Sequence, residues 1–196
     1  ETGLLRVYLP EFGPIQDLVQ YDAYHLRPVG PHLVECVSRL CVYSGESAPF
    51  LSDFLSEYAS CPELRLAALL HDIGKGGSGH AGRGAAMAGD ILDRLGVESP
   101  IRDDVLFLIG HHLLLVEIAT RRDLEEEDTI LGCAETIGTL RRLKMLTLLT
   151  WAFNRDGVEG TLAGPDGRPA RVHYVDLPPR LHRALRPRRC RPPRRR

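Results

Sequence analysis

His71 and Asp72 stand side by side where an apolar stretch, Leu64 to Leu70, gives way to Gly74, Lys75, Gly76, Gly77, Gly79 and His80. An imidazole next to a carboxylate fits two chemistries here. The pair can close a helix as solvated polar residues, or it can ligate a divalent ion. Adjacent helical residues point about 100° apart, so they converge on one ion only near a flexible helix end. Other histidines favour the second chemistry. His32 falls in the first turn of an early helical pattern, His112 ends the apolar stripe of a later one with His111 beside it, and His80 lies on the loop behind the dyad. Imidazole and carboxylate together suit Mn²⁺, Fe²⁺, Zn²⁺ or Co²⁺, and less often Mg²⁺, which prefers oxygen. Spacing alone leaves both chemistries open. Gly77, Gly79 and Gly82 satisfy G-x-G-x-x-G literally, but they follow a helical pattern and not a strand, so a dinucleotide site is set aside.

The elements that must position these residues read as helices. Pro31 suits a first helical position, and Val34, Val37, Leu40 and Cys41 continue the pattern. Phe50, Leu51, Phe54, Leu55 and Tyr58 give a second stripe. A third helix starts near Pro62 and Glu63 and buries Leu66, Leu69, Leu70 and Ile73. The glycines from 74 to 79 interrupt it, because glycine loses too much backbone entropy in a helix. Helical spacing resumes from Ala85 to Leu95 and stops at Gly96, a good residue just past a helix end. Ser99-Pro100 reads as the cap of the next helix, which carries Val105, Leu106, Leu108 and Ile109 up to His111 and His112. Asp128 is placed to cap another through Ile130, Leu131 and Ile137, and Leu140 to Thr150 forms the last. Alternating strand patterns and hairpin turns are almost absent, so the expected fold is all-α.

Composition bounds the function. The 196 residues, 43% hydrophobic and 26% charged, fit one globular domain with a tail. No apolar run reaches the roughly 18 to 20 residues of a membrane span, and nothing at the start reads as a leader. Five cysteines form no C-x-x-C pair and cannot all pair with one another, which points to a reducing cytoplasm. Residues 178–196 hold nine arginines and no acid; residues 1–177 are left with 16 basic and 26 acidic residues, a net of −10. The body therefore lacks the basic surface that phosphate backbones require, and only the tail suits nucleic acid. From Asn154 the chain turns rich in Gly, Pro and Arg, a composition expected to stay disordered. The expected division is a domain over 1–153 and a tail over 154–196.

The His-Asp-Ile-Gly-Lys-Gly run with His32 upstream and His111-His112 downstream resembles the HD superfamily of metal-dependent phosphohydrolases, helical bundles built around such a dyad. The segments YLPEF (8–12), QYDAYH (20–25), LAALLHDIGKGGSGH (66–80), HHLLL (111–115), ATRRDLEEEDTI (119–130) and LTLLT (146–150) are similar to the HD domain of bifunctional PII uridylyltransferase/uridylyl-removing enzymes. The similarity covers about residues 1–152.

That resemblance implies hydrolysis of a uridylyl group from a tyrosine of the PII signalling protein, with release of UMP. It implies His32, His71, Asp72 and His112 as ligands of a divalent ion, Mn²⁺ or Mg²⁺ first, with Fe²⁺, Zn²⁺ or Co²⁺ as alternatives. It implies that Lys75 and His80 contact the phosphodiester or help the leaving group. Arg121 and Arg122 would grip phosphate through planar, bidentate donors, although a solvated pair balancing Glu125 to Asp128 explains them equally well. His25 matches the family's segment without an assigned role.

Two departures stand out. HD proteins supply a last metal-ligating Asp from the final helix, and Phe153 occupies that position here; Asp156 would substitute only if the helix continued. The family's nucleotidyltransferase and regulatory domains are not matched, so the chain is expected to act as a uridylyl-removing fragment. Its rivals are an impaired HD module that binds PII or nucleotide, and a hydrolase of free nucleotides.

Overall fold

The computed structural model describes residues 3–19, 28–42, 51–121 and 127–154. His25, Phe50, Arg122, Asp156 and the tail expected to be disordered lie outside the described residues. Among the described residues every regular element is helical. A short α1 (Leu4–Tyr8), a 3-10 turn (Pro10–Phe12) and α2 (Gly13–Gln16) lead into the main bundle. That bundle comprises α3 (Val29–Val42), α4 (Ser52–Tyr58), α5 (Pro62–Leu70), α6 (His80–Arg94), α7 (Ile101–Gly110), α8 (Leu114–Arg121), α9 (Glu127–Ile137) and α10 (Leu140–Asn154). No helix among them is long and apolar enough to cross a membrane.

Helix α5 lies at the centre, packed against α3, α7 and α10, with α6 on the far side of α7. Leu64, Ala67, Ala68 and Leu70 of α5 meet Leu33, Cys36 and Leu40 of α3, Val105, Leu108 and Ile109 of α7, and Leu143, Leu146 and Leu149 of α10 in one apolar core. Two acids are drawn into this packing, Glu63 and Asp104. Arg141 bonds to both, and Arg142 Nε lies 2.8 Å from Asp104 Oδ1. Buried carboxylates need such partners, because desolvation costs several kcal/mol per ion. A second clamp joins α3 to the end of α10, where buried Arg39 donates to the Ala152 carbonyl at 2.8 Å.

Several boundaries differ from those the sequence suggests. Helix α3 starts at Val29, and its buried face carries Val29, Leu33, Cys36 and Leu40, while Val34 is 50% exposed. The face turned inward is thus the one that includes His32. Helix α6 starts at His80, five residues ahead of Ala85, in spite of Gly82 and Gly84. Tertiary packing overrides the weak helix preference of glycine there. Ser99 makes no cap hydrogen bond to α7, and Asp128 lies within α9 after Glu127. The end of α6 is as expected. Gly96 takes φ 69°, and the amides of Gly96 and Val97 bond back to Asp93 and Leu92, the pairing of a glycine-closed helix. Helix α10 runs four residues past Thr150, so Phe153 is on the helix.

Candidate metal centre

The site forms where helix ends meet. Helix α5 ends at Leu70, and a turn over residues 71–74 carries His71 and Asp72 out of it. His80 opens α6, His112 lies two residues past the end of α7, and Phe153 is next to last on α10. His32 is the fourth residue of α3. The C-terminal ends of α5, α7 and α10 bring partial negative charge to this region, which favours a cation there.

Gly74 makes the junction possible. A Cβ on Gly74 would lie 2.5 Å from the Gly84 amide and closer still to the His80 carbonyl, so only glycine lets α6 approach the turn. Arg83 of α6 donates to the Gly74 carbonyl and fixes the same contact. This is how His80, remote from the dyad in an extended chain, reaches Asp72.

Asp72 is the hub, its side chain 3% exposed. Oδ2 faces His71 Nε2 at 3.4 Å, His32 Nε2 at 3.9 Å and Lys75 Nζ at 2.8 Å. Oδ1 faces His80 Nε2 at 3.5 Å and His112 Nε2 at 3.7 Å. Four imidazoles therefore present the same ring nitrogen to one carboxylate. Two of them are locked that way from behind. His71 Nδ1 lies 3.0 Å from the Ala68 carbonyl and His112 Nδ1 2.8 Å from the Ile109 carbonyl. A carbonyl only accepts, so each Nδ1 carries a proton and Nε2 is the ring nitrogen turned inward, the one free to ligate an ion. Such backing is the usual support of a metal-ligating histidine. Burial first, and the neighbouring His71 second, push the His112 pKa down to about 3, so that ring is neutral at ordinary pH.

These donors fit a divalent ion. His71 Nε2 is buried without a hydrogen-bond partner, an expensive arrangement unless a Lewis acid completes it. Ligands at about 2.0–2.1 Å around a tetrahedral ion stand about 3.4 Å apart. The His71–Asp72 separation matches that, and the others lie within half an ångström of it. Two clusters with ligand atoms inside 4.8 Å result, Asp72-His80-His112 and His32-Cys36-His71.

Of the residues singled out in the sequence, His32, His71, Asp72, Lys75, His80 and His112 come together. Arg121 closes α8, but its side chain, like the whole of Arg122, lies outside the described residues. His111 turns away and stacks on Phe107 at 4.5 Å. Phe153 enters the site as a ring: it stacks on His71 at 5.3 Å and meets His112 edge-on at 5.7 Å. Cys36 was not anticipated. The signal for it was present, since His32 and Cys36 stand four apart on one helix and share a face.

Residues 52–140 match the family model described as the HD domain. The bifunctional uridylyltransferase/uridylyl-removing enzyme of Gluconobacter oxydans is 40% identical over 160 residues, which cover 79% of this chain and 17% of that enzyme. The enzymes of the same name from Streptomyces coelicolor and Ruegeria pomeroyi are 37% and 35% identical over 152 and 155 residues, each covering 76% of this chain and 17% of their own length. The chain thus spans about a sixth of these relatives. No solved structure gives a significant match. His32, Cys36 and Phe153 lie outside the matched segment but beside His71, which lies within it, and the chain carries an HD domain.

Proposed function

We propose that this protein is a metal-dependent phosphohydrolase of the uridylyl-removing type, which cleaves the phosphodiester between UMP and a tyrosine of the PII protein. The observation that carries this reading is the ring of four Nε2 atoms around the buried Asp72 carboxylate, in a chain similar to enzymes named for uridylyl removal. His32, His71, Asp72 and His112 would hold the ion. When bound, a divalent ion supplies Lewis acidity to a phosphoryl oxygen and to the attacking water.

The chain's own residues supply the rest. Asp72 gathers the ring and offers its charge to the cation. The carbonyls of Ala68 and Ile109 fix the tautomers of His71 and His112, so no ligand has to rearrange. His80, whose side chain is 25% exposed where its neighbours are buried, is the ring best placed to meet substrate and to hand a proton to the departing tyrosine oxygen. Lys75 Nζ, paired with Asp72 Oδ2, keeps positive charge beside the position of the phosphodiester. Arg121 and Arg122 are proposed as phosphate grips.

A second reading has its own observation. The Phe153 ring packs on two of the proposed ligands in place of a carboxylate, which favours an impaired module that binds PII or nucleotide without turnover. One assay separates them: UMP release from uridylylated PII with Mn²⁺ and, separately, with Co²⁺, for the wild type and Asp72→Ala. Phosphohydrolysis predicts metal-dependent release that Asp72→Ala abolishes. Absence of release from a wild type that still binds PII selects the second reading.

A further inference from the structure

We propose that the Cys36 thiolate is a ligand of the divalent ion and takes the place of the carboxylate missing at position 153. The site then prefers thiophilic ions, Co²⁺, Zn²⁺ or Fe²⁺, over Mg²⁺ and Mn²⁺. This inference rests on the reading of the cluster as a metal centre and says which ion it takes.

Cys36 is fully buried on α3, one turn beyond His32. Its Sγ lies 3.7 Å from His32 Nε2. A nitrogen at about 2.0–2.1 Å and a sulfur at about 2.3 Å from one tetrahedral ion stand about 3.6 Å apart. The ligand atoms of His32, Cys36 and His71 all fall within 4.8 Å of one another, and His71 owns the buried nitrogen with no hydrogen-bond partner. A buried cysteine is ordinarily a small apolar filler. Two imidazoles against its sulfur, one of them in want of a partner, are not the surroundings of a filler.

Position and charge agree. Cys36 Sγ also lies 3.7 Å from the carbonyl of Ala152, the residue before Phe153, so the thiol reaches the cluster on the flank where the final helix would have offered its carboxylate. Arg39 donates to the same carbonyl at 2.8 Å, so the oxygen keeps a partner when the thiol turns to a metal. Coordination releases the thiol proton to solvent and leaves one negative charge, as the carboxylate would have. Thiolate in place of carboxylate moves selectivity from hard ions toward softer ones.

The test is a titration of the metal-free whole chain with Co²⁺ alone, read by absorption. Visible d–d bands report binding, and a near-ultraviolet charge-transfer band reports sulfur on the metal. The expected result is both bands in the wild type. In Cys36→Ser and in Cys36→Val the charge-transfer band is lost and Co²⁺ affinity falls about tenfold or more, a loss of about 1.4 kcal/mol. Circular dichroism checks that both variants fold, and Cys41→Ser combined with Cys61→Ser retains the band. Zn²⁺ displaces Co²⁺, whereas Mg²⁺ in excess does not. Co²⁺ bound by the wild type without charge transfer, or with charge transfer that survives Cys36→Ser, overturns the inference and leaves the metal centre standing. No Co²⁺ binding at all overturns both.

Discussion

A carboxylate as buried as Asp72 is costly unless cations and donors surround it. Lys75 provides one positive charge, but His112 is held neutral by burial and offers only a lone pair. Lone pairs directed at a carboxylate repel it, so this ring of donors makes physical sense around a cation. Phe153 is expected to weaken the hold on that cation. Its ring, stacked on His71, supplies packing where a carboxylate would supply a ligand. Phe153→Asp is expected to tighten Mn²⁺ binding about tenfold, about 1.4 kcal/mol. Lost packing and repulsion from Asp72 should cost the metal-free protein about 2 kcal/mol. Metal titration and thermal unfolding with and without Mn²⁺ read the two effects, and an unchanged affinity would place residue 153 outside the coordination sphere.

At the scale of elements, the site is a meeting of helix ends held by backbone contact. The turn after α5 and the start of α6 touch at Gly74 and Gly84, and that contact delivers His80. Gly74→Ala must push the two apart. The expected cost is about 1–3 kcal/mol of stability, as for other overpacked sites, together with weaker metal binding because the turn that carries His71 and Asp72 shifts. Denaturant unfolding and a metal titration on one variant check both, and no change in either would show that the junction does not position the site. Helix α5 and the dyad at its end were legible from the apolar spacing of Leu66, Leu69, Leu70 and Ile73. Its buried face is nonetheless Leu64, Ala67, Ala68 and Leu70; Leu66 and Leu69 are only partly buried, and Ile73 lies past the helix end. The start of α6 was not. Gly82 and Gly84 argue locally against a helix, and only their fit against the turn, invisible in one dimension, overrules that. The inward face of α3 was misread by one position for a similar reason: Val34 is as apolar as Leu33, and only the packed bundle decides which of them turns inside.

At the scale of the molecule, the candidate ligands span positions 32 to 112, with residue 153 beside them, so no local window contains the site. Its members were legible singly, as histidines at helix ends, and jointly only through the resemblance to HD proteins. Cys36 escaped because its partners are distant in sequence, apart from His32 one turn away. The arginine-rich end lies beyond the described residues. The bundle has a centre whose donors suit a divalent ion. The direct measurement is equilibrium dialysis of the chelator-stripped protein against a divalent transition metal, followed by elemental analysis. The expected result is a stoichiometric ion retained by the wild type and absent from Asp72→Ala. A folded wild type that emerges from dialysis without metal would contradict it.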